Sequence, residues 1–296
     1  NTPTREPARL GVQLSSNSLN SIMKSWKYIF TDNILNKLVK YTNDYGNTYC
    51  KDWYTCSKSD LTDMFSVLFI TDIQKRKDPS RNWFSDDPML KNIMVKRIMS
   101  GKKFHRLLRY IHACDMYNQP DIKSPDYNPV YKVKESLDLL EMRFNNAFVP
   151  YYALSLDETL IKSFGRIKFK VRIITKSARY GIKVYVITDA KTAYVLKVIF
   201  YTGKYTYQPD PDSECVKKTV NVVKQLCERF KGSHRCIYID RFYTSIALME
   251  ELDKMDLYVT GTCMKNRLPI ELRMKKNHRN SKIWLEVITK HIHMNI

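Results

Sequence analysis

Two short apolar runs in this chain each end in carboxylates. Ala153-Leu154-Ser155-Leu156 leads into Asp157-Glu158, and Cys236-Ile237-Tyr238-Ile239 leads into Asp240. Runs of this length and pattern read as strands. A strand fixes the position of a carboxylate oxygen while the core hides the backbone, so two such strands are what a divalent-metal site needs. If the two strands are neighbours, Asp157 and Asp240 can share a cation, and the matching chemistry is in-line displacement at a phosphodiester. In a chain with 30 acidic residues, two aspartates do not decide the matter alone. An ion pair between Asp240 and a nearby arginine such as Arg241 fits the same residues and stays open.

Other chemistries find little support. Thr202-Gly203-Lys204-Tyr205-Thr206 lacks the spacing of a phosphate-cradling loop, and eight glycines in 296 residues leave no credible dinucleotide loop. His291 and His293 have no third ligand nearby. His105 and His112 read as surface or core residues. The seven cysteines are odd in number, scattered and without a C-x-x-C pair, which argues against a disulfide framework or a zinc knuckle and predicts a reducing compartment. No run of 18 apolar residues is present, so no membrane span is expected.

The elements that must position the carboxylates follow from periodicity. Residues 1–14 lack it and read as a flexible lead-in. Apolar residues at helical spacing predict helices over 18–41, with Thr31-Asp32 capping the second, then over 61–73, about 89–99, 102–114 and 132–148. On the helix over 102–114, Phe104, Leu107, Leu108 and Ile111 make one face, and Lys102, Lys103, Arg106 and Arg109 lie toward the other. That basic side suits either a solvated surface or contact with phosphates. The segment 115–129, rich in Pro, Asn and Asp, marks the main boundary. Beyond it the period changes: strands are expected at 153–156, 165–175, 182–188, 193–202, 236–239 and 257–262, with helices at 213–230 and 246–254. This order is α/β.

The charge balance points to the partner. Fifty Lys and Arg against 30 Asp and Glu leave +20 at pH 7, a field that favours a polyanion. In 165–175, Arg166, Lys168, Lys170 and Arg172 alternate with apolar residues, and four like charges on one strand face repel one another unless a polyanion relieves them. Nucleic acid is the expected contact.

Several phrases together carry a resemblance: Ser155-Leu156-Asp157-Glu158, Tyr180-Gly181-Ile182-Lys183, Asp189-Ala190-Lys191-Thr192, Tyr194-Val195-Leu196, Tyr201-Thr202-Gly203-Lys204, Tyr243-Thr244-Ser245 and Gly261-Thr262-Cys263-Met264-Lys265-Asn266-Arg267. In order and spacing over about residues 20–270 they resemble the transposase domain of the piggyBac family. Tyr41-Thr42-Asn43 and the run Arg106 to His112 fit as well. The resemblance implies a ribonuclease-H-like catalytic core, a mixed sheet with flanking helices, over 151–270. An all-α DNA-binding and dimerisation region over 15–150 would precede it. It implies Asp157 and Asp240 as catalytic, metal-binding aspartates using Mg²⁺ or Mn²⁺, and double-stranded DNA as partner, cut at transposon ends and joined to TTAA targets. A possible homodimer, a nuclear location and no membrane association complete the expectation. The expected DNA contacts are Arg166, Lys168, Lys170, Arg172, Lys176, Lys183, Lys265 and Arg267. Arg241 departs from the Asn that many members carry. The family's third Asp has no clear counterpart: Trp284-Leu285-Glu286 is the only remnant, Glu286 a conceivable substitute, and 271–296 reads as a degenerate or truncated end. A catalytically impaired transposase or domesticated derivative is therefore expected, with a non-catalytic DNA-binding or host-interaction protein as the alternative.

Overall fold

The structure, a computed structural model, describes residues 10–12, 22–85, 91–174, 179–206, 218–264, 267, 283–288 and 291–295. They belong to two compact units, residues 16–143 and residues 144–296, with residues 1–15 grouped with the second. Within the expected lead-in, β1 (Gly11–Val12) pairs antiparallel with β2 (Phe148–Val149).

The first unit is helical. It holds α1 (Ile22–Ile29), α2 (Asp32–Tyr49), α3 (Lys58–Ile73), α4 (Arg81–Phe84), α5 (Ile93–Ile98), α6 (Gly101–Tyr110) and most of α7 (Tyr131–Ala147). Side-chain caps start several of them: Ser57 and Asp60 form a reciprocal capping box on α3, Asn92 caps α5 and Ser100 caps α6. Ile34, Leu38, Leu61, Met64, Val67, Trp83, Val95, Phe104 and Leu107 form the core. Two expectations are corrected here. The basic helix stops at Tyr110, because the chain turns extended at Ile111, and Leu108 is exposed while Phe104 and Leu107 are buried. Helix α2 runs on to Tyr49, past the expected end at Tyr41. Its last turns are held by tertiary contacts: the Asn43 Oδ1 accepts from Trp53 Nε1 at 3.0 Å and from the Cys56 N–H at 2.7 Å. Gly46 lies under the Trp53 indole, where a Cβ would sit 2.2 Å from the ring.

The second unit is a mixed α/β structure. Its strands are β3 (Ala153–Lys162), β4 (Val171–Arg172), β5 (Tyr180–Asp189), β6 (Val195–Phe200), β7 (Cys236–Ile239), β8 (Tyr258–Cys263), β9 (Ile283–Ile288) and β10 (His291–Asn295). The sheet order is β10-β9-β8-β7-β3-β5-β4, with β6 also pairing β5. The central pairs β3–β7 and β7–β8 are parallel and the rest antiparallel. Parallel neighbours need a crossover, and the helices α8 (Lys218–Cys227) and α9 (Ile246–Asp253) lie in the two connections. Val220, Val222, Val223 and Leu226 of α8 and Leu248, Met249 and Leu252 of α9 join Leu154, Leu156, Ile187, Ile237 and Val259 in one buried core. Burying each of these side chains is worth about 1.5–3 kcal/mol. Residues 213–217 of the expected helix lie outside the described residues.

The expected strand over 165–175 is not one. Only Val171 and Arg172 pair, with Gly181 and Tyr180 of β5. Residues 165–170 form a turn in which the Ile167 N–H donates to the Gly165 carbonyl and the Lys170 N–H to that of Ile167. The alternation of charged and apolar residues there has no partner strand to hold it extended. Conversely, β9 and β10 carry the sheet beyond β8. The β5–β6 turn is organised by the buried carboxylate of Asp189. Its oxygens accept from the N–H groups of Lys191, Thr192 and Tyr151 and from the Thr192 hydroxyl.

Candidate metal centre

The parallel pairing of β3 with β7 matches Ala153 with Cys236, Leu154 with Ile237, Ser155 with Tyr238 and Leu156 with Ile239. One step further along each strand stand Asp157 and Asp240. Two strands distant in sequence, about 4.8 Å apart as hydrogen-bonded neighbours, thus each carry an aspartate one residue past their last registered pair. Both residues are exposed, while Leu154, Leu156, Ile237 and Ile239 beneath them are buried. Each carboxylate is oriented by its own backbone: Asp157 Oδ1 accepts from the Glu158 N–H at 2.7 Å, and Asp240 Oδ1 from the Arg241 N–H at 2.6 Å. The contact described between Arg241 and Asp240 is therefore made by the backbone.

Behind the pair lies a group that periodicity did not single out. Tyr243 is buried, and its hydroxyl donates to Glu158 Oε2 at 2.9 Å. Burial first, and the Glu158 carboxylate second, hold the Tyr243 phenol well above its usual pKa, so it stays a donor. The loop after Asp240 folds back on that residue's own carbonyl, which accepts from the N–H groups of Tyr243 and Thr244 and from the Thr244 hydroxyl. Ser245 then caps α9 by accepting from the Leu248 N–H. The phrase Tyr243-Thr244-Ser245 thus builds the turn that presents Asp240.

The expected DNA contacts are dispersed. Arg166, Lys168 and Lys170 sit in the 165–170 turn, where the Lys170 ammonium donates to the Gly165 carbonyl. The Arg172 guanidinium lies over the Tyr180 ring. Lys183, on β5, stands over the rings of Tyr185 and Phe242, at 4.8 and 5.0 Å from their centroids, and so lies close to the loop that follows Asp240. Arg267 donates to backbone carbonyls of that same loop. Lys176 and Lys265 lie outside the described residues. Glu286, on β9, pairs with Thr260 of β8, which leaves its backbone two strands from β7, roughly 10 Å across the sheet.

Among the described residues no group of three or more His, Cys, Asp or Glu side chains is placed to hold a metal ion. Two adjacent carboxylates nevertheless suit a hard cation of the Mg²⁺ type. Such an ion is commonly held by one or two carboxylates, keeping waters and substrate phosphate oxygens for its other positions.

A family model described as Transposase IS4 matches residues 23–295. The chain is 25% identical over 268 residues to the human "PiggyBac transposable element-derived protein 3", covering 84% of this chain and 42% of that protein. It is 22% identical over 240 residues to the human "PiggyBac transposable element-derived protein 5", covering 78% and 44%. The chain thus spans less than half the length of these relatives. In fold it is similar to the piggyBac transposase solved by cryo-electron microscopy in a synaptic complex with hairpin DNA. That likeness has a TM-score of 0.77 at 22% identity, over 97% of this chain and 62% of the other. The second unit accordingly has the mixed, ribonuclease-H-like α/β fold of that enzyme.

Proposed function

The chain belongs to the Transposase IS4 family, and from that premise we propose that it carries the catalytic half-site of a piggyBac-type DNA transposase or of a domesticated derivative. The observation that carries the reading is the placement of Asp157 within β3 and Asp240 just past the end of β7, each one residue beyond the last registered pair, Leu156 with Ile239, of these parallel strands. Asp157 and Asp240 would hold Mg²⁺ or Mn²⁺, which supplies Lewis-acid stabilisation of charge on the phosphoryl oxygens. The two carboxylates supply hard oxygen donors at a fixed spacing, and their exposure leaves room for a phosphodiester. The net charge of +20 draws duplex DNA to the chain, with Lys183 over the Phe242 ring of the loop after Asp240 as a further cation. Cleavage at transposon ends, joining to TTAA sites, a homodimer and a nuclear location belong to the same proposal.

A second reading, a DNA-binding derivative without catalysis, is favoured by the lack, among the described residues, of a group of three or more His, Cys, Asp or Glu side chains placed to hold a metal ion. One experiment separates them. Duplex DNA carrying candidate ends is incubated with the protein and Mn²⁺, and nicks are counted for the wild type, Asp157→Ala and Asp240→Ala. The catalytic reading expects nicking that either substitution abolishes and DNA binding that falls steeply with salt. Nicking that survives both substitutions refutes the assigned site, and binding with no nicking selects the second reading.

A further inference from the structure

We propose that Arg267 is a positioning residue that clamps the loop after β7 and thereby fixes the Asp240 carboxylate against Asp157. The inference rests on the reading of Asp157 and Asp240 as metal ligands.

One terminal nitrogen of Arg267, Nη1, lies 2.6 Å from the Phe242 carbonyl oxygen, 3.1 Å from that of Thr244 and 3.4 Å from that of Arg241. Three carbonyl dipoles that point at one spot repel one another unless a cation sits among them, and a hydrogen bond with a charged donor is about twice as strong as a neutral one. The loop between Asp240 and Ser245 has no ladder; its turn is closed on the Asp240 carbonyl by Tyr243 and Thr244, and the carbonyls of Arg241, Phe242 and Thr244 that it turns outward are the ones Arg267 gathers. Arg267 is held in turn by its backbone, whose N–H donates to the Met264 carbonyl at 2.9 Å directly after β8.

Two more residues of the same phrase converge on the loop. The Cys263 Sγ lies 3.8 Å from the Thr244 carbonyl oxygen. At Gly261 a Cβ would fall 2.6 Å from the Thr244 hydroxyl and 2.7 Å from the Ile239 carbonyl oxygen, so only glycine lets β8 hold the loop this closely. On the far side, the bond from Tyr243 to Glu158 ties the loop to β3. Asp240 is thus gripped between β8 and β3, with Arg267 as the charged member of the grip. The run from Gly261 to Arg267 therefore sets where the second carboxylate stands.

The test uses the full chain and Mn²⁺ alone as probe, with free Mn²⁺ followed by electron paramagnetic resonance. Arg267→Ala should weaken Mn²⁺ binding about ten- to hundredfold, the usual cost of losing a group that orients a ligand. Low millimolar guanidinium should restore much of it by reoccupying the carbonyl cluster. Asp157→Asn, the control for the underlying reading, should lose Mn²⁺ binding. Wild-type Mn²⁺ affinity in Arg267→Ala alongside loss in Asp157→Asn overturns the clamp and leaves the metal site standing. Wild-type affinity in Asp157→Asn overturns the metal reading, and the clamp with it. A fall in DNA affinity in EDTA with unchanged Mn²⁺ binding makes Arg267 a DNA contact and also overturns the proposal. If circular dichroism shows Arg267→Ala unfolded, Arg267→Gln, which keeps a neutral donor, is judged by the same Mn²⁺ criterion.

Discussion

Tyr243→Phe isolates one hydrogen bond beneath the carboxylate pair. The phenylalanine ring keeps the edge contacts that Tyr243 makes with Tyr185 and Phe242, whose centroids lie 6.3 and 5.2 Å away, so the loss is confined to the hydroxyl. A hydrogen bond to a charged acceptor contributes about 1.5–3 kcal/mol. Glu158 is half-buried and can recover water on one side, which places the expected loss near the lower bound, about 1.5 kcal/mol. For a unit of this size 1 kcal/mol moves the melting temperature by about 2–4 °C, so a fall of about 3–6 °C is expected by calorimetry at pH 7. The pH dependence has a definite sign. The folded phenol pKa is raised above its ordinary 10.0, so its contribution is fully present below about pH 10 and disappears as pH rises further. The gap between wild type and Tyr243→Phe should therefore narrow above pH 10. A shift under 1 °C at pH 7, or a gap that stays constant through pH 11, refutes the assignment of a stabilising bond to Glu158.

Two further outcomes follow from contacts elsewhere. Gly261→Ala should cost about 1–3 kcal/mol through overpacking against Thr244 and Ile239, and urea unfolding within 0.5 kcal/mol of wild type would contradict the close approach. In the helical unit, burial pushes the Asp60 carboxyl up, but the Lys103 ammonium and the Ser57 N–H and hydroxyl more than offset this and hold it below its usual 3.8. A depressed folded pKa gives stability present above about pH 4 and lost as pH falls further. The stability difference between wild type and Asp60→Asn should accordingly shrink as pH falls below about 4, as followed by acid titration of the circular dichroism signal.

The starts of the two strands that carry the aspartates were legible because their cues are local, although β3 runs on through Asp157 and Glu158 to Lys162, past the expected end at Leu156. The bounds of β7 coincide with the apolar run Cys236 to Ile239, and α9 departs from its expected span by a single residue at the end. Their neighbour relation was only conditional in the sequence, since pairing is set by the crossover through α8 and not by either strand. Period alone misled at 165–175, where alternation lacked a partner, and it had nothing to say about Tyr243, whose value comes from a carboxylate on another strand. Arg267 was legible as a basic residue in a recognisable phrase, but what its guanidinium faces depends on where the 240–244 loop comes to rest. Asn43 is similar: an amide in a helix reads as a weak helix former until Trp53 and Cys56 fold onto it.

The β3–β7 seam also sets when the site can exist. Tyr243 and Glu158 are separated by 85 residues along the chain, and the loop closed by their meeting must be ordered before either gains from it. A fragment holding one strand alone would carry a carboxylate oriented by its own backbone but not the second one that the parallel pairing sets beside it. Occupancy by Mn²⁺ would then report on the folding of the whole sheet, appearing late in refolding and vanishing early when the seam opens. A chain in which α8 had not yet packed its valines would have both aspartates and no centre.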